Sequence, residues 1–137
     1  MAFGIAIEKV REMLDSPVFA TVATIRPDGC PQQSVVWIGR DGDGPLFVTA
    51  ADNVKGRHLR RDPRVSVLLN PPGTPYTYAA IRGTATLERG TGRELVDALS
   101  IKYTGLPFAE HNPQAAARAT DLITVRVTPE EILGRTF

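Results

Sequence analysis

The sequence predicts a mainly β protein, an antiparallel barrel, closed or split, of about six short strands with a few peripheral helices. Three observations carry that prediction. Short runs rich in β-branched and aromatic residues recur along the chain, and tight-turn chemistry separates them. The runs also follow one another without the crossover helices that a doubly wound parallel sheet requires. An antiparallel α+β sandwich ranks second on the same pattern. With 137 residues, 42% hydrophobic and 23% charged, the chain is one domain, 1–137, able to bury a real core and too apolar for disorder.

The elements follow in order. Ile5, Ile7, Val10, Met13 and Leu14 fall at largely helical spacing among charged residues, an amphipathic opening helix that Asp15-Ser16-Pro17 ends. Residues 18–25 and 32–38 read as two strands of a hairpin joined by Arg26-Pro27-Asp28-Gly29, where Pro27 presets φ and Gly29 supplies positive φ. Asp41-Gly42-Asp43-Gly44 is the next turn, leading to a strand over 46–49. Residues 53–61 change to helical turns with basic side chains, stopped by Asp62-Pro63 before a strand over 65–69. After Asn70-Pro71-Pro72-Gly73 comes a long strand, 76–87, in which Gly83 permits a bend or bulge. Thr91-Gly92-Arg93-Glu94 has capping-box spacing and opens a helix to Tyr103 that Gly105 closes. Residues 106–120, rich in Pro and Ala, read as a loop and a short helix; 122–127 alternate as a last strand, and Thr128-Pro129-Glu130-Glu131 caps a final turn.

Composition excludes several functions. A formal net charge of +1, from 16 basic and 15 acidic side chains, gives no whole-molecule field for nucleic acid or an anionic membrane. One cysteine, Cys30, rules out a disulfide framework and a zinc site of several thiolates, and fits a reducing cytoplasm. No stretch approaches the roughly 20 apolar residues of a membrane span, so a soluble cytoplasmic protein without a membrane partner is expected. Phosphate-loop and Rossmann glycine motifs are missing, as is any paired-histidine or multi-cysteine metal spacing. His58 and His111 each stand alone and read as solvated side chains; Cys30, beside Pro31, reads as a packed, inert thiol.

The strongest local signal runs from Asn53 to Arg64. Lys55, Arg57, Arg60, Arg61 and Arg64 oppose the single acid Asp62, in a chain whose remainder is therefore net acidic. With Asp52 or Asn53 capping the short helix, its free N–H groups, Lys55 and Arg57 converge where a phosphate is favoured. The competing reading is a solvated, salt-bridged helix face. Thr49-Ala50-Ala51, just before it, place a hydroxyl and backbone groups at a sheet rim. The segment is short and lacks interleaved aromatics, which argues against nucleic acid. A second candidate is residues 31–37, where alternation puts Gln32, Ser34 and Val36 on one face and Gln33, Val35 and Trp37 on the other. Trp37 reads as core or interface before cofactor stack, and Tyr76, Tyr78 and Arg82 share a strand face.

Three stretches, 19–32, 55–64 and Arg82-Gly83-Thr84-Ala85, together resemble the FMN-binding split-barrel superfamily, which contains pyridoxamine 5′-phosphate oxidases and related deazaflavin-dependent oxidoreductases. The resemblance implies the split form of the barrel, a homodimer, and a tricyclic ring in a groove at the dimer interface. It implies that Lys55 and Arg57 hold the cofactor phosphate, that Gln32, Ser34, Val35 and Val36 line the ring, that Thr49 and Ala50 contact its polar side, and that Tyr78 reaches across from the partner subunit. The Leu-Arg-Arg-Asp-Pro-Arg form is most similar to members that use the deazaflavin coenzyme F420, with FMN the alternative; the expected chemistry is hydride transfer to a small conjugated acceptor. True pyridoxamine phosphate oxidases usually carry a basic C-terminal extension where this sequence ends at Arg135-Thr136-Phe137, so that substrate is not expected. A non-catalytic cofactor-binding protein is the reading from another class.

Overall fold

In the computed structural model, which describes residues 2–137, the chain forms eight strands and five helices. In order these are β1 (Ala2–Phe3), α1 (Ile7–Asp15), β2 (Ala20–Ile25), β3 (Pro31–Val36), β4 (Gly39–Asp41), β5 (Gly44–Ala50), α2 (Val54–Arg61), β6 (Arg64–Leu69), β7 (Tyr78–Arg89), α3 (Gly92–Thr104), α4 (Phe108–His111), α5 (Pro113–Arg118) and β8 (Leu122–Arg135). The sheet order is β3-β2-β6-β7-β8-β5-β4, antiparallel along that path, with β1 added parallel to the far half of β8. The path ends on β3 and β4 without joining them, so the barrel is split.

Alternation fills the interior with Val22, Phe47, Val67, Leu69, Ile81, Val125 and Ile132, all essentially solvent-free. Leu14 and Val10 of α1 close one end of the core. Each such burial contributes about 1.5–3 kcal/mol, and this is what holds strands so distant in sequence together.

Two strands escape the sequence reading because they are too short for periodicity to show, β1 and β4. A third difference is larger: 128–131 is no turn, because β8 runs unbroken to Arg135. Its register beside β7 slips by one residue, pairing Arg82 with Glu131 and Gly83 with Pro129. Pro129 has no N–H to give the ladder, and the bulge absorbs the lost bond. Gly83 is required there, since a Cβ would sit 2.1 Å from the Thr128 carbonyl oxygen. The capping box at Thr91 also fails: its hydroxyl bonds Glu88 and Thr124 at 3.0 and 2.8 Å instead of the helix N-terminus. Residues 106–120 hold two short helices where one was expected. Gly105, at φ 83°, ends α3 as read.

Candidate functional site

The site is assembled where β5 hands over to α2. Asn53 takes an extended backbone and its side-chain oxygen accepts the Lys55 N–H at 3.0 Å, capping α2. Gly56 lets the first turn of α2 rest on the end of β5, since a Cβ would meet the Ala50 and Ala51 carbonyl oxygens at 2.5 and 2.7 Å. Leu59 and His58 turn inward and are buried, which leaves the cations of α2 on the outer side.

Those cations differ in their partners. Arg64 grips Asp62 at 2.7 Å, and its side-chain and backbone N–H groups pull the Asp62 carboxyl down to about 2. Arg60 lies 3.9 Å from Asp52. Among the described residues, Lys55, Arg57 and Arg61 have no carboxylate within 4 Å. Arg57 donates only to the Asp52 carbonyl at 3.3 Å, and Arg61 to the Ile25 carbonyl. Lys55 is half-buried, and that loss of water lowers its pKa. A desolvated ammonium without a counter-charge is an open demand for an anion.

Two concavities flank this helix start. One, of about 200 Å³, lies between β3, β5 and α3: Val35, Val36 and Trp37 form one wall, Val48 and Thr49 another, Val96 and Leu99 a third, with Asn53 and Lys55 from the start of α2. The other, of about 430 Å³, is lined by Arg26, Pro27, Gln32, Val54, Arg57, His58 and Arg61. Four of the expected site residues thus meet in the first hollow and two, Gln32 and Arg57, in the second. Ser34 lies on β3 in neither lining; among the described residues its hydroxyl and that of Thr49 are buried without a hydrogen-bond partner. Orphaned buried hydroxyls are costly, and two of them on strands flanking one hollow fit the polar edge of a bound ring. Ala50 is half-buried outside both linings, its carbonyl accepting the Asn53 N–H at 3.1 Å. Tyr78 is not brought to either hollow: it lies at the start of β7, opposite Arg135, on the same outward face as Ala80 and Arg82.

Two expectations about chemistry-bearing residues are corrected. His58 is no solvated histidine; it is buried, with Nδ1 2.9 Å from the Thr24 hydroxyl. Burial, and then Arg61, Arg26 and Arg57, push its pKa down. The helical face it shares with Leu59 was the available signal. Cys30 is exposed, because the hairpin turn carries it outward and its N–H bonds the Asp28 carboxylate at 3.0 Å. Arg26, Val96 and Leu99 carry no sequence mark of their place here; only the tertiary fold brings them in.

Comparison with known proteins agrees with the fold. The family described as pyridoxamine 5′-phosphate oxidase matches residues 6–135. Among solved structures, a conserved hypothetical protein from Mycobacterium tuberculosis is similar at a TM-score of 0.79 and 25% identity, over 96% of this chain and 85% of that one. An F420 reductase is similar at 0.76 and 26% identity, over 89% of this chain and 94% of that one. A heme binding protein from Mycobacterium smegmatis shares the fold at 0.66 and 22% identity, over 96% of this chain and 54% of that one.

Proposed function

Because this chain belongs to the pyridoxamine 5′-phosphate oxidase family, we propose that it is an oxidoreductase that holds a flavin-type cofactor by its phosphate at α2 and passes hydride from reduced coenzyme F420 to a small conjugated acceptor. The observation that carries the proposal is Lys55, a half-buried cation with no acidic partner among the described residues, set at the capped start of α2 in a hollow it shares with the unpaired buried hydroxyl of Thr49. The deazaflavin, when bound, would supply the hydride that reduces the acceptor, and the residues of this chain would hold and orient it. Lys55 and Arg57 bind the phosphate, assisted by the N–H groups of the helix start. Ser34 and Thr49 take up the polar edge of the ring, and Val35 and Val36 exclude water from its face. Likeness to an F420 reductase favours the deazaflavin over FMN.

The cofactor groove is completed by a second copy of the chain. Cross-strand register aligns Val35, Thr21, Leu68, Ala80, Leu133 and Phe3 in one row over six strands. Val35 is 65% exposed, Phe3 51%, Leu133 45% and Leu68 39%, an apolar band suited to self-association. Tyr78, on that outward face, reaches the partner's groove. Titration of the purified protein with reduced F420 and with FMN, followed by Trp37 emission, tests the cofactor. Tight deazaflavin binding with oxidation of the reduced form on adding acceptor is the expected result; tight FMN binding with none to the deazaflavin contradicts it.

A further inference from the structure

The 200 Å³ hollow has one aromatic wall, and that wall belongs to a larger assembly outside the hollow. Trp37 stacks on Tyr103 with ring centroids 5.6 Å apart and planes at 16°. Phe19 tilts against Tyr103 at 5.3 Å, Phe108 meets Trp37 edge-on at 6.5 Å, and the His111 ring lies 5.6 Å from Trp37. The stack is held by polar anchors. The Tyr103 hydroxyl donates to the Val18 carbonyl at 2.6 Å and accepts the Ile38 N–H at 3.0 Å. Lys102 next to it donates to the Leu14 carbonyl at 2.6 Å and to the Ile38 carbonyl. The α4 turn is tied down in the same way, through the Phe108 N–H to Asp97 at 3.1 Å. The Trp37 indole is therefore fixed at the boundary between the hollow and this surface, as a preorganised recognition group must be.

The surface carries little charge to recognise an ion. Lys102 and Asp97 are committed to backbone groups, the exposed Glu110 of α4 disfavours an anion, and Phe19, Leu106 and Ile101 are exposed apolar side chains at 57%, 45% and 53%. Of the cations that attract a phosphate, Lys55 lines this hollow from the start of α2, and Arg57 and Arg61 line the second one.

The geometry points to Trp37 as the residue that selects the acceptor, an uncharged planar conjugated molecule stacking on its indole, with Tyr103 and Lys102 as positioning residues. This rests on the cofactor reading above, because it assigns Lys55, Val35 and Val36 to the cofactor and Trp37, next along the same wall, to the acceptor.

Trp37 is the only tryptophan in the chain, so its emission reports the contact directly. Without reductant, 1,4-naphthoquinone is expected to quench it saturably in the whole protein, with a Kd about tenfold or more below that of 1,4-naphthoquinone-2-sulfonate. Equal quenching by both compounds, or quenching that never saturates, overturns the proposal. With reduced cofactor present, Trp37→Leu should raise the KM for 1,4-naphthoquinone about tenfold while the Kd for cofactor stays within about twofold. An equal loss in cofactor affinity assigns the wall to the cofactor and overturns the proposal. Tyr103→Phe keeps the stacked ring and removes its hydroxyl bonds, and should raise the same KM with a shift in Trp37 emission; an unchanged KM removes the positioning role. Failure of the cofactor reading is separately visible, as a wild-type protein that binds neither F420 nor FMN.

Discussion

The arginines near β4 and β5 and the cations of α2 are treated in opposite ways. Arg11 meets Asp43 at 2.6 Å, Arg40 meets Asp15 at 2.7 Å, and Arg126 is held at 2.6 Å by both Asp41 and Glu88. Lys55, Arg57 and Arg61 crowd one short helix and find only carbonyls or nothing. The first set closes its own charges and fixes the geometry of loops and strand ends, while exposure keeps the stability from each pair small. The second set leaves positive potential concentrated beside two hollows, at a cost that folding alone does not recover. Unbalanced charge next to a concavity points to a candidate ligand site more clearly than total charge does.

The largest effect should come from removing that imbalance. Lys55→Ala with Arg57→Ala is expected to weaken cofactor binding by about 1.5–3 kcal/mol for each charge-assisted hydrogen bond lost, with the fold intact by circular dichroism. Unchanged affinity in a folded double variant removes both residues from the phosphate site.

A crossed pair of variants sharpens the contrast. Arg126→Ala should lower the melting temperature and leave cofactor Kd unchanged, whereas Arg61→Ala should weaken cofactor binding and leave the melting temperature unchanged or raised. Matching responses in the two variants would show that the two groups of cations do the same work.

His58 gives a smaller effect, through pH. Its folded pKa lies below the ordinary value of about 6.5, so the unfolded chain takes up a proton that the folded chain refuses. Stability should therefore be full above about 6.5 and fall as pH drops through and below it. Urea unfolding across that range should show the slope in the wild type and lose it in His58→Gln; an identical slope in both would assign it elsewhere. The smallest effect is screening: added salt should weaken cofactor binding while barely changing stability, and the dependence should shrink in the Lys55→Ala, Arg57→Ala variant.

The sequence displayed what is locally determined. The 26–29 turn needs only Pro27 and Gly29, the α2 cap only Asn53, and the α3 stop only Gly105, so each was readable. Gly83 announced its bulge for the same reason, but Pro129 misled, because a strand tolerates proline only where a distant partner strand bends to suit it. The clustering of Lys55 and Arg57 was legible as charge. The burial of His58, the outward turn of Cys30, the failed cap at Thr91, and the arrival of Val96 and Leu99 over the hollow depend on contacts between segments far apart in sequence, which no local pattern records.

The central claim, that the unpaired cations of α2 hold the anionic end of a ring-bearing cofactor, is tested most directly by ligands that differ in that end alone. Equilibrium titration of the whole protein with FMN and with riboflavin, and with F420 and its phosphate-free chromophore, should show the phosphate-bearing member binding at least about tenfold tighter in each pair. The gap should vanish in the Lys55→Ala, Arg57→Ala variant. Equal affinity within both pairs in the wild-type protein would contradict the account.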